Sequence, residues 1–234
     1  MLPVTFSHDG YRYFLTRFMR AGYESHFFSD PIPEKQGLFI RHDIDFDATS
    51  AAQMAVIERN LGIKSTYFFQ VTGNIYNPAS KSFQQSLEVI VQSGHEIGLY
   101  FDPTAYPDVE KGVKDEMKIF EFLLKRTAKI ASIVKPAKHF KEGNGHLYHI
   151  PHCYESQFSS RMTLFTDDLC QFREEMPLES EDFIQKKNIH LQIQPIWWIM
   201  PAKDASGKMQ MLLDRQLSRY KSYHLQRHPG FRAD

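Results

Sequence analysis

The chain has 234 residues, 42% of them hydrophobic and 24% charged, which excludes a mainly disordered chain and allows one substantial core. Its 28 Lys and Arg balance 28 Asp and Glu, so net charge gives no reason to expect nucleic acid or an anionic membrane as partner. Only Cys153 and Cys170 are present, without the spacing of a disulfide framework or a structural zinc site. With no signal peptide and no membrane span to be read, a cytoplasmic protein is expected.

Along residues 4–20, Tyr11, Phe14, Leu15 and Phe18 recur at helical spacing and predict an amphipathic helix closed by Ala21-Gly22. Pro31, Pro33 and Gly37 mark a loop, after which Leu38-Phe39-Ile40 opens a buried strand ending in Arg41-His42-Asp43-Ile44-Asp45. Asp47 or Thr49 can cap a helix that runs to Asn60 and stops at Gly62. The pattern then predicts a strand over 65–71, a helix over 82–93, a strand over 96–102 and a helix over 108–126. An apolar stretch over 130–134 leads to His139.

Residues 142–160, rich in Gly, His and Tyr, read as an irregular segment of the kind that walls a site. A strand over 162–165, a short helix over 180–187, a strand over 189–200 and a closing helix over 208–223 complete the series. Strands alternating with helices at this spacing require parallel pairing through helical crossovers, so the class is α/β. One domain over 1–234 is expected, with 1–36 forming a helix and loop packed on it.

Side chains two apart in a strand share a face, which puts Arg41, Asp43 and Asp45 together and His42 and Ile44 on the other side. Sheets of this class place their sites at the carboxyl ends of their strands. A helix-capping Asp and a structural Arg–Asp pair would account for the same residues, although Asp47 already supplies a cap.

Three segments in order, Arg41-His42-Asp43-Ile44-Asp45, Leu61 to Phe69, and Gly94-His95-Glu96-Ile97-Gly98-Leu99, resemble the successive motifs of polysaccharide deacetylase-like proteins, carbohydrate esterase family 4 in the broad sense. The likeness returns at Pro195-Ile196-Trp197-Trp198. It implies a distorted (β/α)7 barrel that hydrolyses N- or O-acetyl groups on sugars with a divalent metal, zinc foremost. It further implies Asp43 as general base, Asp45 and His139 as metal ligands, and Tyr100, Asp102 or one of His146, His149 and His152 to complete the sphere; Asp43 and Asp45 could exchange roles.

The sequence departs from that pattern at two imidazoles. Tyr100 stands where the family has a ligand His, and a neutral phenol is a poor zinc ligand. Gln194 stands where relatives carry the His that protonates the leaving group; an amide can orient a substrate oxygen but holds no titratable proton near neutrality. Trp197 and Tyr100 offer faces for a sugar, with core packing the alternative for the tryptophan pair. Asp167 could bind a sugar hydroxyl or serve a turn, and His95, at the amino end of its strand, suits a structural hydrogen bond.

By resemblance, the substrate would be an acetylated or nucleotide-linked sugar in surface polysaccharide assembly, O-antigen or capsule. A degenerate deacetylase that binds carbohydrate or a protein partner is the alternative. Nothing in the sequence specifies the oligomeric state.

Overall fold

Strand and helix alternate as the hydrophobic spacing requires, and the strands assemble into one curled, mainly parallel sheet. The structure is a computed structural model and describes residues 4–143, 145–147, 149–228 and 230. In chain order the elements are α1 (His8–Arg20), β1 (Glu24–His26), β2 (Gly37–Ile44), α2 (Ala48–Asn60), β3 (Thr66–Phe69), α3 (Lys81–Gln92), β4 (Glu96–Phe101) and α4 (Val109–Leu124). There follow β5 (Ala131–Ile133), α5 (Lys138–Lys141), α6 (Ser156–Ser159), β6 (Met162–Asp168), β7 (Gln171–Phe172), α7 (Glu181–Ile184), β8 (Asn188–Gln192), α8 (Pro195–Ile199) and α9 (Ala205–Arg227). No helix among the described residues is long and apolar enough to cross a membrane.

Local chemistry sets the helix starts. Ser7 caps α1, Ser80 caps α3 and Asp108 caps α4, each side chain accepting from a first-turn amide. At α2, Asp47 accepts from Thr49 N at 3.2 Å and Ser50 N at 3.0 Å. Gly62 and Gly94, at φ 71° and 86°, take the left-handed turn that carries the chain from α2 and α3 back to the sheet.

The sheet runs β5-β4-β3-β2-β8-β6-β7, with every neighbour parallel except the closing β6–β7 pair. Along one side of β2, β1 and β3 lie end to end: β1 pairs with Gly37 to Phe39 and β3 with Arg41 to Ile44. β8 takes the other side, and all eight residues of β2 are buried. Asp43 of β2, Tyr100 of β4, Ile133 of β5, Leu164 of β6 and His190 of β8 line a single cavity, so the sheet is rolled about it as an incomplete barrel. The expected barrel is therefore open, its path ending at β5 and β7 without a closing pair among the described residues.

Apolar side chains on the outer face pack beneath the helices. Tyr11, Phe14, Leu15 and Phe18 are the buried side of α1, as their spacing predicts. Trp198 of α8 receives two of them: its ring stacks on Phe14 at 5.7 Å and meets Tyr11 at 5.2 Å. The sequence reading of one strand over 189–200 is corrected here. Strand pairing stops at Gln192 and Pro195 opens a helix, because proline lacks the N–H a ladder needs and its fixed φ suits the first helical position. β1 and β7 are too short to show a period.

Candidate active site

Asp43 and Arg41 sit two apart on β2 and point the same way, Arg41 Nε lying 3.3 Å from Asp43 Oδ2. The guanidinium is fully buried, a costly place for a charge unless it is paired. It has a second partner: Nη2 donates to the Tyr154 hydroxyl at 2.7 Å. Tyr154 is delivered by the irregular segment, where His152 Nδ1 accepts from Tyr154 N at 3.2 Å and His152 Nε2 bonds the Gly145 carbonyl at 2.8 Å. Gln192 on β8 completes the group, its amide donating to Asp43 Oδ2 at 3.0 Å.

Asp45 lies one residue past β2, at the mouth of the cavity. Gln194 Nε2 donates to its Oδ2 at 2.6 Å. Burial and the neighbouring Asp43 charge push the Asp45 carboxyl up to about 6, against the Gln194 amide, the Tyr100 hydroxyl and Lys135. Burial pushes Asp43 up as well, with Arg41 pulling the other way. Tyr100 keeps its proton: burial and both carboxylates drive its phenol upward.

Asp167, at the end of β6, accepts from Gln194 N at 2.7 Å and from Trp198 Nε1 at 2.6 Å. It lines the cavity, yet both oxygens are engaged in fixing the chain around Gln194. Trp197 also lines the cavity, and its Nε1 is buried without a hydrogen-bond partner.

The structure thus gathers Asp43, Asp45, Tyr100, Asp167, Gln194 and Trp197 at one cavity of about 890 Å³, with Arg41 buried beneath Asp43. Two expected residues lie elsewhere. His139 is exposed on α5 and does not line the cavity, because the apolar stretch ends at Ile133 and a short helix turns its imidazole outward while Phe140 is buried. Asp102 caps the turn at Pro103–Ala105, accepting from Thr104 N and Oγ1, and is likewise outside the lining. Of the loop histidines, His149 faces Glu110 at 3.4 Å and His152 holds Tyr154. His95 Nε2 bonds the Ala55 carbonyl at 2.9 Å, a structural role.

Tyr154, His190 and Gln192 line the cavity and escaped the sequence reading. His190 of β8, only 3% exposed, lines the cavity with Nε2 unpartnered, and burial together with Arg41 drives its imidazole well below the usual range. The signal was present: Asn188, His190 and Gln192 alternate with Ile189 and Leu191, which marks a polar inner face.

The other side of β2 carries a second polar group. His42 points away from Asp43, with Nε2 2.8 Å from Glu58 Oε1 and Nδ1 2.9 Å from the Ile193 carbonyl. Glu58 of α2 also accepts from the Tyr11 and Tyr67 hydroxyls at 2.5 and 2.6 Å. Burial works against its charge, but His42, His95 and Tyr11 hold the carboxyl down at about 2.

A divalent metal does not fit these residues. The Asp45 oxygen facing Gln194 and the Asp43 oxygen facing Arg41 and Gln192 already accept hydrogen bonds, and His139 is remote from the cavity. The imidazole that does line it, His190, feels the buried Arg41 cation. Among the described residues no group of three or more His, Cys, Asp or Glu is arranged to hold a metal ion.

No family model matches the sequence, and no curated protein matches it. Solved structures do. The Xyl-CE4 domain of a multidomain xylanase from the hindgut metagenome of Trinervitermes trinervoides is 13% identical, over 79% of this chain and 85% of that one, with a TM-score of 0.42. A family 4 carbohydrate esterase from Bacillus anthracis is 11% identical, over 88% and 86%, at 0.44. A pseudoenzyme of that family, also from Bacillus anthracis, is 10% identical, over 79% and 63%, at 0.43. All three carry the name of carbohydrate esterase family 4. At these identities the chemistry of the site rests on its own residues.

Proposed function

We propose that this deacetylase-like protein binds an acetylated sugar in the barrel cavity without metal-dependent hydrolysis. One observation carries the reading: the carboxylates of Asp43 and Asp45, the amides of Gln192 and Gln194 and the rings of Tyr100 and Trp197 belong to residues lining one cavity. Carboxylates accept and amides donate, so this lining suits a ligand that supplies both donors and acceptors. Sugar hydroxyls and an acetamido group supply both. Tyr100 and Trp197 add faces against which a sugar ring can pack.

By the motif resemblance, the ligand is an acetylated sugar, free or nucleotide-linked, and the setting is surface polysaccharide assembly, O-antigen or capsule, in the cytoplasm. A second reading, hydrolysis with Asp45 as base, is favoured by the Asp45 carboxyl at about 6, a value suited to proton transfer near neutrality. Calorimetric titration with a panel of acetylated sugars, paired with an acetate-release assay, separates the two. Saturable binding with no acetate, lost in Asp43→Asn, is the expected result. Acetate release abolished by Asp45→Asn would install the hydrolase reading, and no binding across the panel would sink both.

A further inference from the structure

One face holds α9 to the rest of the chain. Lys208 and Leu212 are buried on it, Arg215 Nη1 lies 3.6 Å from Asp47 Oδ2, and Arg219 Nη2 donates to Thr49 Oγ1 at 3.2 Å. These four residues recur at helical spacing and so lie in one line along the helix. Away from that line, Leu213, Leu217 and Tyr220 are 50%, 54% and 65% exposed, so three large apolar side chains stand mostly in solvent.

A single exposed leucine needs no explanation, but a seam of apolar residues does. Leu213, Leu217, Tyr220 and His224 follow one another at steps of four, three and four, the heptad spacing of a helix that packs along another helix. Met211 and Leu225, also exposed, fall off this line. Two opposite charges border the seam on one flank: Asp214 follows Leu213, and Lys221 follows Tyr220. Two turns apart, they are not neighbours along their own helix. They meet across a seam if a second identical helix runs antiparallel, because the same flanks then face each other. A parallel partner would set them against Met209 and Gln216, with no charge to match.

We propose that α9 docks a second copy of this chain, antiparallel about a two-fold axis near Ser218. Leu217 then packs on the partner's Tyr220, Leu213 on the partner's His224, and Asp214 pairs with the partner's Lys221, each contact occurring twice by symmetry. The pairing is independent of what fills the barrel cavity. A seam of about three turns lies at the low end of specific interfaces, under about 1,200 Å² in total, so the dimer forms and parts in the micromolar range.

Sedimentation of the full chain across about 1 to 300 μM, at low salt, tests it, and monomer giving way to dimer within that range is expected. Leu217→Glu, at a position half exposed in the single chain, is expected to keep the protein monomeric throughout with an unchanged circular dichroism spectrum. Asp214→Lys sets lysine against lysine twice and is expected to weaken the dimer about three- to tenfold, and adding Lys221→Asp to restore it. Monomer at every concentration would overturn the proposal. A dimer that survives Leu217→Glu would overturn it too, placing self-association on another face. Loss in Leu217→Glu without rescue by the charge exchange would overturn the antiparallel pairing.

Discussion

Gln194 donates to Asp45 at 2.6 Å, so an amide caps the carboxylate at the cavity mouth where the motif resemblance implies an imidazole. An amide cannot take up or release a proton near neutrality, which makes this contact a fixed one. It leaves Asp45 as a half-buried carboxylate with no cation within ion-pair distance among the described residues.

That arrangement makes stability depend on pH. The Asp45 carboxyl stands at about 6 in the fold against an ordinary 3.8, so between these values the native state binds more protons than the unfolded chain. Stability from this group is fully present below the lower value and is lost as pH rises through the upper one. Asp45→Asn is expected to flatten that loss and to raise stability at pH 7.5 by about 1–3 kcal/mol. Urea unfolding at pH 4 and pH 7.5 measures it; an equal pH slope in both proteins would contradict the assignment.

The Glu58 cluster titrates with the opposite sign. Its carboxyl is held at about 2 against an ordinary 4.5, so its contribution is present above 4.5 and is lost as pH falls toward 2. Glu58→Gln leaves His42 facing a neutral amide in a buried setting and is expected to cost about 3–5 kcal/mol at neutral pH. Thermal or urea unfolding reads this directly, and a cost below 1 kcal/mol would show that the cluster is not a charged hub.

Trp197→Phe removes an indole N–H that has no partner in the fold. Stability is expected to hold or rise slightly, while sugar affinity falls about three- to tenfold, the worth of one hydrogen bond. The two readouts must diverge. A loss of stability with unchanged affinity would make Trp197 a packing residue only.

His139→Ala is expected to change neither stability, beyond about 0.5 kcal/mol, nor sugar affinity, because the ring is exposed and outside the cavity. The wild-type protein dialysed against zinc is expected to retain no stoichiometric metal. Zinc retained one per chain and lost in both His139→Ala and Asp45→Ala would restore the metal site that the motif resemblance implies.

Much of this site was legible in the sequence because strand parity is strict. Alternation alone separated Arg41 and Asp43 from His42, and the two faces indeed serve the cavity and the Glu58 cluster. The cap at Asp47, one of the two candidates with Thr49, followed from side-chain chemistry next to helical spacing. Glu58 could not be found that way: a charged residue on a helix is assigned to solvent unless its partners are known, and Tyr11, His42 and Tyr67 come from three other elements. His139 failed for a related reason, since the length of β5 and the turn after Ile133 depend on the bridge between Ala131 and His152. Pro195 was the available warning that the run ending at Met200 was not one strand.

The placement of β2 bears on how the molecule is made. This strand is flanked by β3, close behind it in the chain, and by β8, whose Gln192 reaches Asp43 across 149 residues of sequence. Its second side therefore stays unpaired until the final third of the polypeptide has emerged and folded back, a long-range closure that slows folding. A nascent chain halted before β8 would present a hydrophobic strand edge to its surroundings, which makes synthesis and refolding the stages at which this protein is most exposed to aggregation.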